Sequence, residues 1–299
     1  MKIEIIASDS MGTRSMATYV ETKDCKILID PGVSLAPIRY GLKPHAIEIK
    51  RLNRHWKKIK EHARKSNILI VTHYHYDHHN PLEPNLYKGK IVFLKHPKKN
   101  INKSQKKRAK FFIDEIEKIV KKLEYSDGGE WKFGTTLLRF SDAVTHGPSE
   151  KLGFVTEVMV KEKSTFIHTS DVEGPCNEKQ TKFILENKPN TIFIDGPLSY
   201  MMYRYGTRAM SASVKNMIRI IENCPLKELI IDHHFLRDLK WKERINKVFK
   251  FAEKKQTKIL TAAEFNGLKT EMLEALRKEL YKKWPKEKAP STPLKELLE

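Results

Sequence analysis

The chain has 299 residues, with 57 lysines and arginines against 37 aspartates and glutamates, a net charge of +20 and 39% hydrophobic residues. That balance excludes a wholly disordered or collagen-like chain, and no apolar run approaches the roughly 20 residues of a membrane span or the apolar core of a signal peptide. A soluble cytoplasmic protein is expected, its excess charge serving to attract anions or to coat a lysine-rich surface; Cys25, Cys176 and Cys224 are too isolated for a disulfide framework or a metal knuckle.

Apolar runs bounded by turn residues predict strands at 3–7, 17–21 and 26–29, a helix over 45–66, and strands at 68–72 and 91–94. A helical stretch over 104–123 follows. Further strands are predicted at 136–140, 154–160, 165–169, 191–195 and 228–232, with helices at 177–186, 211–222 and 241–255. Strands come first in each half and helices follow, a pattern of layered sheets covered by helices rather than one alternating doubly wound sheet. Without a repeat or a linker, residues 1–265 read as one domain. Residues 266–299 read as a charged helical tail whose end is broken by Pro285, Pro290 and Pro293, either a loosely held helix or an arm for oligomerisation or a partner.

The chemistry concentrates in ILIVTHYHYDHHNP at 68–81, where a buried strand ends in a dense set of metal-ligand side chains. His73 and His75, two apart in extended backbone, point to one side, and Asp77 and His78 follow in the turn. Imidazole and carboxylate together suit zinc and related divalent ions. Four ligands from one segment serve two adjacent metals if others arrive from elsewhere.

His73, His75, Asp77 and His78 resemble the HxHxDH signature of the metallo-β-lactamase superfamily, and further motifs of that superfamily follow in order. Asp30 in KILIDPG resembles its structural Asp, His146 in AVTHGP its third-motif His, Asp171 in SDVEG its metal-bridging Asp, and His233 or His234 in DHHFLRD its last His. More narrowly, MGTRSMATYVET, THYHYDHHN and DHHFLRD resemble an archaeal family of predicted metal-dependent hydrolases. The resemblance implies an αββα sandwich of the α/β class with metals at one sheet edge. His73, His75 and His146 would hold one divalent ion, Asp77, His78 and His233 or His234 the second, and Asp171 would bridge them. Two such ions, zinc first and iron or manganese as alternatives, would activate water for hydrolysis, with Asp77 and Asp171 as the catalytic carboxylates and Asp77 orienting the nucleophile. Counting from the strand favours His233 as the last ligand, while Phe235 resembles an HF pair that favours His234. His79, Asn80 and Pro81 stand where the superfamily often has glycine, and His79 reads as a hydrogen-bonding neighbour or solvated side chain. His168 reads as a core histidine with a satisfied hydrogen bond, and Asp195 as a residue that either supports the site or starts a turn.

Two segments are candidates for substrate binding. Arg14 in DSMGTRS offers a bidentate donor to an anion or sits exposed on a tight turn. Tyr203 and Arg204 in LSYMMYRYGTR suit a stacked base and a phosphate, or else pack under a helix or across a dimer interface. The run KHPKKNINKSQKKRAK at 95–110 has no acidic residue; without interleaved aromatics it reads first as a solvated face and second as a nucleic-acid contact. The expected substrate is an anionic small ester, lactone or phosphodiester. The alternative is a nuclease, or a nucleic-acid-binding metalloprotein with little hydrolytic activity.

Overall fold

A computed structural model describes residues 1–294. Its first sheet comprises six strands in chain order: β1 (Lys2–Ile5), β2 (Thr18–Glu21), β3 (Lys26–Ile29), β4 (Ile68–Val71), β5 (Ile91–Leu94) and β6 (Lys122–Tyr125). The first three pair antiparallel and β3 to β6 pair parallel. The other strands are β7 (Glu130–Phe133), β8 (Thr136–Phe140), β9 (Val144–Thr145), β10 (Phe154–Val155), β11 (Val158–Lys161), β12 (Thr165–His168), β13 (Thr191–Asp195), β14 (Glu228–Asp232) and β15 (Lys258–Leu260). Seven of them form the second sheet, ordered β15-β14-β13-β12-β11-β8-β7, parallel from β15 to β12 and antiparallel beyond, while β9 and β10 form a separate ribbon.

Alternation along the strands assembles the layers, because successive side chains point to opposite faces. Ile27, Ile29, Ile68, Ile70 and Phe93 share a core with Phe140, Val158, Phe166, Phe193 and Ile230 between the sheets. Their neighbours Leu28, Leu69, Val71, Val92 and Leu94 pack outward on Leu52, Trp56 and Ile59 of the helix Ala46–Lys65 and on Ala109 and Phe112 of the helix Lys103–Ile116. On the other outer face Ile192, Ile194, Leu229 and Ile231 pack on Ile184, Met217 and Val248 of three further helices. The expected αββα sandwich is the observed architecture.

Four local expectations changed. The helix begun at Lys103 stops at Ile116, and Lys122–Tyr125 pairs with β5 as a strand. Residues 154–160 divide into β10 and β11 because Thr156 leaves the ribbon to donate its N–H to Thr72 O at 3.2 Å. The helix expected over 241–255 breaks at Ile245. Residues 266–294 carry only the short helix Arg277–Lys283 and lie against the domain, with Arg277 and Leu294 buried; the last five residues of the tail lie outside the described residues. Among the described residues no helix is long and apolar enough to cross a membrane.

Candidate metal centre

The parallel strands of both sheets end at one edge, and the histidine and aspartate side chains stand in the loops leaving them. β3 runs into Asp30, β4 into Thr72 and His73, β12 leads to Ser170 and Asp171, β13 ends on Asp195 and β14 on Asp232, just before His233. Asp30, Ser170 and His233 all adopt left-handed backbone, at φ 49°, 57° and 58°. Each such conformation costs roughly 1–3 kcal/mol and persists only where its surroundings enforce it. Here it turns the chain sharply off a buried strand into the site.

Three groups of side chains place one ligand atom each within 4.8 Å of one another: His73, His75, His146 and Asp171; Asp77, His78 and His233; and Asp171, His233 and His234. Asp171 connects the first group to the last. Its Oδ2 lies 3.5 Å from His73 Nε2 and 3.2 Å from His146 Nε2, and its Oδ1 lies 3.0 Å from His78 Nε2 and 3.4 Å from His233 Nε2. His233 Nε2 is also 3.6 Å from Asp77 Oδ2. The structure therefore brings all eight predicted metal ligands to one place. His233 stands with Asp77 and His78 as well as with Asp171, whereas His234 joins only the Asp171 group.

The rings are aimed by carboxylates behind them. His78 Nδ1 donates to Asp30 Oδ2 at 2.9 Å, and Asp30 is itself fixed by Thr72 N–H and Oγ1 at 2.8 and 2.7 Å. His233 Nδ1 donates to Asp9 Oδ2 at 2.8 Å and His234 Nδ1 to Asp195 Oδ2 at 2.9 Å. Each bond leaves Nε2 directed into the cluster, as carboxylate partners do for metal-ligating histidines. Asp9 is in turn gripped by Arg237 Nε at 2.7 Å.

The electrostatics divide the imidazoles into two kinds. Burial, then the neighbouring His78, lowers His73 to about 4, and burial with the other rings holds His75 well below its ordinary value. Burial, then Arg237 and His233, does the same for His234. Burial also opposes charge on His78 and His233, but Asp171 with Asp30 and Asp77 holds His78 well above the usual value, and Asp171 with Asp9 lifts His233 to about 10. Against the same burial, His78 and His233 hold Asp171 and Asp77 below the carboxylate range. Burial pushes Asp195 well above it, with Asp171 and Glu173 adding to the shift against His233.

The residues fit divalent metal ions. His78 Nε2, both ring nitrogens of His146 and Asp171 Oδ1 are buried with no hydrogen-bond partner among the described residues, although His78 Nε2 and Asp171 Oδ1 are close. Buried polar atoms are rarely left unsatisfied. Lone pairs converging from imidazole and carboxylate form a donor set for zinc, iron or manganese.

Beside the cluster a cleft of about 250 Å³ is lined by Asp77, Asp171 and His234 and by Arg14, Arg108 and Arg237. Arg14 is not exposed on a turn: Glu274 holds it with two bonds of 2.6 and 2.8 Å. The structure does not bring Tyr203 and Arg204 to the cleft. Both are exposed, Tyr203 at 87%, while Tyr205 of the same segment is buried with its hydroxyl on Glu173 O. His168 is the satisfied core histidine expected, bonded to Met16 O and Ser170 N. His79 is buried, not solvated, with Nδ1 on His75 O at 3.0 Å. Asp9, Arg108 and Arg237 escaped the sequence reading. Only the position of Asp9 and Arg237 in motif-bearing segments pointed to them.

Residues 12–79 match the family model of the metallo-β-lactamase superfamily. The isothiocyanate hydrolase from Delia radicum gut bacteria shares the fold at a TM-score of 0.51 and 16% identity, over 84% of this chain and 94% of that one. The chain thus has the metallo-β-lactamase type of fold, with a histidine–aspartate cluster at its edge that could hold metal. A UPF0282 protein of Korarchaeum cryptofilum is 49% identical over 288 residues, covering 95% of this chain and 96% of its own length. Another, from Methanocaldococcus jannaschii, is 46% identical over 292 residues, covering 94% and 96%. The chain belongs to the UPF0282 family.

Proposed function

We propose that the cluster holds two divalent ions and that the protein uses them to hydrolyse an anionic ester, lactone or phosphodiester. The observation that carries this reading is the convergence of buried histidines and aspartates, both ring nitrogens of His146 unsatisfied among them, beside a cleft lined by Arg14, Arg108 and Arg237. His73, His75 and His146 would take one ion, Asp77, His78 and His233 the other, with Asp171 reaching both and His234 as a further ligand at its side. Divalent ions bound there supply Lewis acidity and lower the pKa of an attacking water.

The chain's own groups supply the rest. Arg14 and Arg108 both line the cleft and receive the substrate's anionic group; Glu274 keeps the guanidinium of Arg14 in place, and Arg108 lies 4.3 Å over the Tyr76 ring. Asp77, held as a carboxylate, accepts a hydrogen bond from the attacking water and orients it. Low exposure at the base of the cleft strengthens each of these interactions.

The test is elemental analysis of the chain reconstituted with zinc, iron or manganese, followed by turnover of generic phosphodiester, lactone and thioester substrates. About two metal equivalents are expected, with turnover reduced on the order of 100-fold or more by His75→Ala and Asp171→Ala. A protein that takes up no metal, or that turns over equally well as His75→Ala, would contradict the reading.

A further inference from the structure

The helix Lys103–Ile116 has two functional edges. One places Arg108 at the metal cleft. The other borders a separate groove of about 500 Å³, walled by Lys98, Lys103, Lys106, Lys107 and Lys110 and floored by Ile113 and Tyr125, with Asp114 its lone carboxylate. The lysines are exposed, and among the described residues none has a carboxylate within ion-pair distance.

This is not the arrangement of an ordinary solvated face. Lys103 and Lys110 each stand three and four residues from Lys106 and Lys107 on the helix, so like charges are stacked as neighbours and repel. A lysine-rich surface tuned for stability would interleave glutamates as pair partners. Concentrating unpaired ammonium groups around an apolar floor favours a partner that brings both anionic groups and flat apolar surface. The aromatic surface absent from the 95–110 run comes instead from β6: Tyr125 is 42% exposed, and the His96 ring lies against it at 4.9 Å between centroids.

We propose that this groove is a binding site for single-stranded nucleic acid, with a base stacked at Tyr125 and the flanking phosphates on the lysines. Single strands combine a spaced anionic backbone with exposed base faces, the two features the groove complements. A duplex offers phosphates alone. The helix surface also continues the path toward the metals: the exposed Phe111 lies four residues after Lys107 and three after Arg108, adjacent to both on the helix. A strand seated in the groove thus crosses one helix width, about 10 Å, to reach the cleft.

Binding and hydrolysis separate in the test. Fluorescence anisotropy with labelled RNA and DNA single strands of one mixed sequence is measured on full-length Asp171→Ala protein, where cleavage cannot erode the signal. Tyr125→Ala is expected to weaken binding roughly tenfold. Lys106→Glu, Lys107→Glu and Lys110→Glu together should remove most binding and reduce the slope of log affinity against log salt by about 2. The same lysine and Tyr125 substitutions in the otherwise wild-type chain should leave turnover of a small substrate unchanged, because none of these groups lines the metal cleft. The RNA and DNA arms identify the preferred sugar. Binding of neither strand, binding indifferent to the lysines or Tyr125, or equal competition by duplex would overturn the proposal. Binding of phosphatidylglycerol vesicles in place of oligonucleotide would overturn it as well and assign the surface to membranes.

Discussion

Gly32 shows how tightly the ligand loop is seated. A Cβ there would lie 2.3 Å from His79 N and 2.5 Å from the carbonyl carbon of His78, so the turn after Asp30 meets the histidine loop backbone to backbone. Gly32→Ala must displace one of these chains, and with it the His78–Asp30 bond. Metal affinity should fall about 10- to 100-fold, as when a group supporting a metal ligand is lost, while far-UV circular dichroism stays native. Titration against a chromophoric chelator reads this directly, and unchanged affinity would show that the close approach does not position His78. Asp30→Asn tests the same linkage from the other side and should cost a similar factor. The residues of the cluster were legible because one segment carries four of them and Asp171, His233 and His234 follow apolar strands. The groups that aim them were not: Asp9 reaches His233 across 224 positions of sequence, and Arg108 belongs to a lysine run whose register against the cleft only tertiary packing sets. Tyr203 and Arg204 looked informative by composition, but their neighbour Tyr205 takes the buried place.

At the scale of elements, the apolar strands were readable because parallel strands buried on both faces appear as continuous Ile, Leu and Val runs. The misread strands lie away from such burial. Lys122–Tyr125 and Glu130–Phe133 hold edge positions with partly exposed side chains, so their polar residues mask the alternation. Val120 and Leu123 continue the apolar spacing of the preceding helix because they pack on the same core, which is why that helix seemed to extend past Ile116. Residues 266–294 read as a charged tail, yet Glu271, Glu274, Arg277 and Glu287 pair with charged residues of the domain. Arg277 forms two 2.8 Å bonds with Glu48 of the long helix, both groups buried, and donates to Leu42 O and Ala36 O. Arg277→Ala strands Glu48 in the core and should cost about 3–5 kcal/mol, measured by denaturant unfolding; a loss below about 1 kcal/mol would mark the pair as a surface contact. Glu274 gives this segment a pH signature. Burial opposes its charge, but Arg14, Arg237 and Arg39 lower it from 4.5 to about 2. A depressed carboxyl contributes stability that is complete above its unfolded value and lost as pH falls through the folded one, here on the order of 3 kcal/mol between about pH 4.5 and pH 2. Glu274→Gln should flatten the acid limb of stability against pH in that window, and an unchanged limb would refute the assignment.

The proposed metal edge joins the two halves of the molecule, since each contributes different residues to the cluster. His73, His75, Asp77 and His78 leave the first sheet, whereas His146, Asp171, His233 and His234 come from the second half. Ions bound between them as proposed would stabilise the folded sandwich by mass action, so a chelator should lower Tm in the wild type and leave Asp171→Ala nearly unaffected. The two ligand groups should also separate by pH. His73 and His75 are kept neutral by burial, their lone pairs free over the whole neutral range. Against their burial, Asp171 and the neighbouring carboxylates favour the protonated forms of His78 and His233, lifting His233 to about 10, so protons must leave before either ring can serve as a ligand. Binding at the Asp77, His78 and His233 group therefore competes with as many as two protons. Its affinity should fall up to roughly 100-fold for each unit of falling pH, while the His73, His75 and His146 group loses much less. Equilibrium dialysis followed by elemental analysis between about pH 8 and pH 6 should show one equivalent leaving before the other. In His233→Ala the more weakly held equivalent should be missing at every pH, and the steep pH dependence should go with it. Loss of both equivalents together, or an affinity independent of pH, would mean that the protons on His78 and His233 do not stand where the second ion binds.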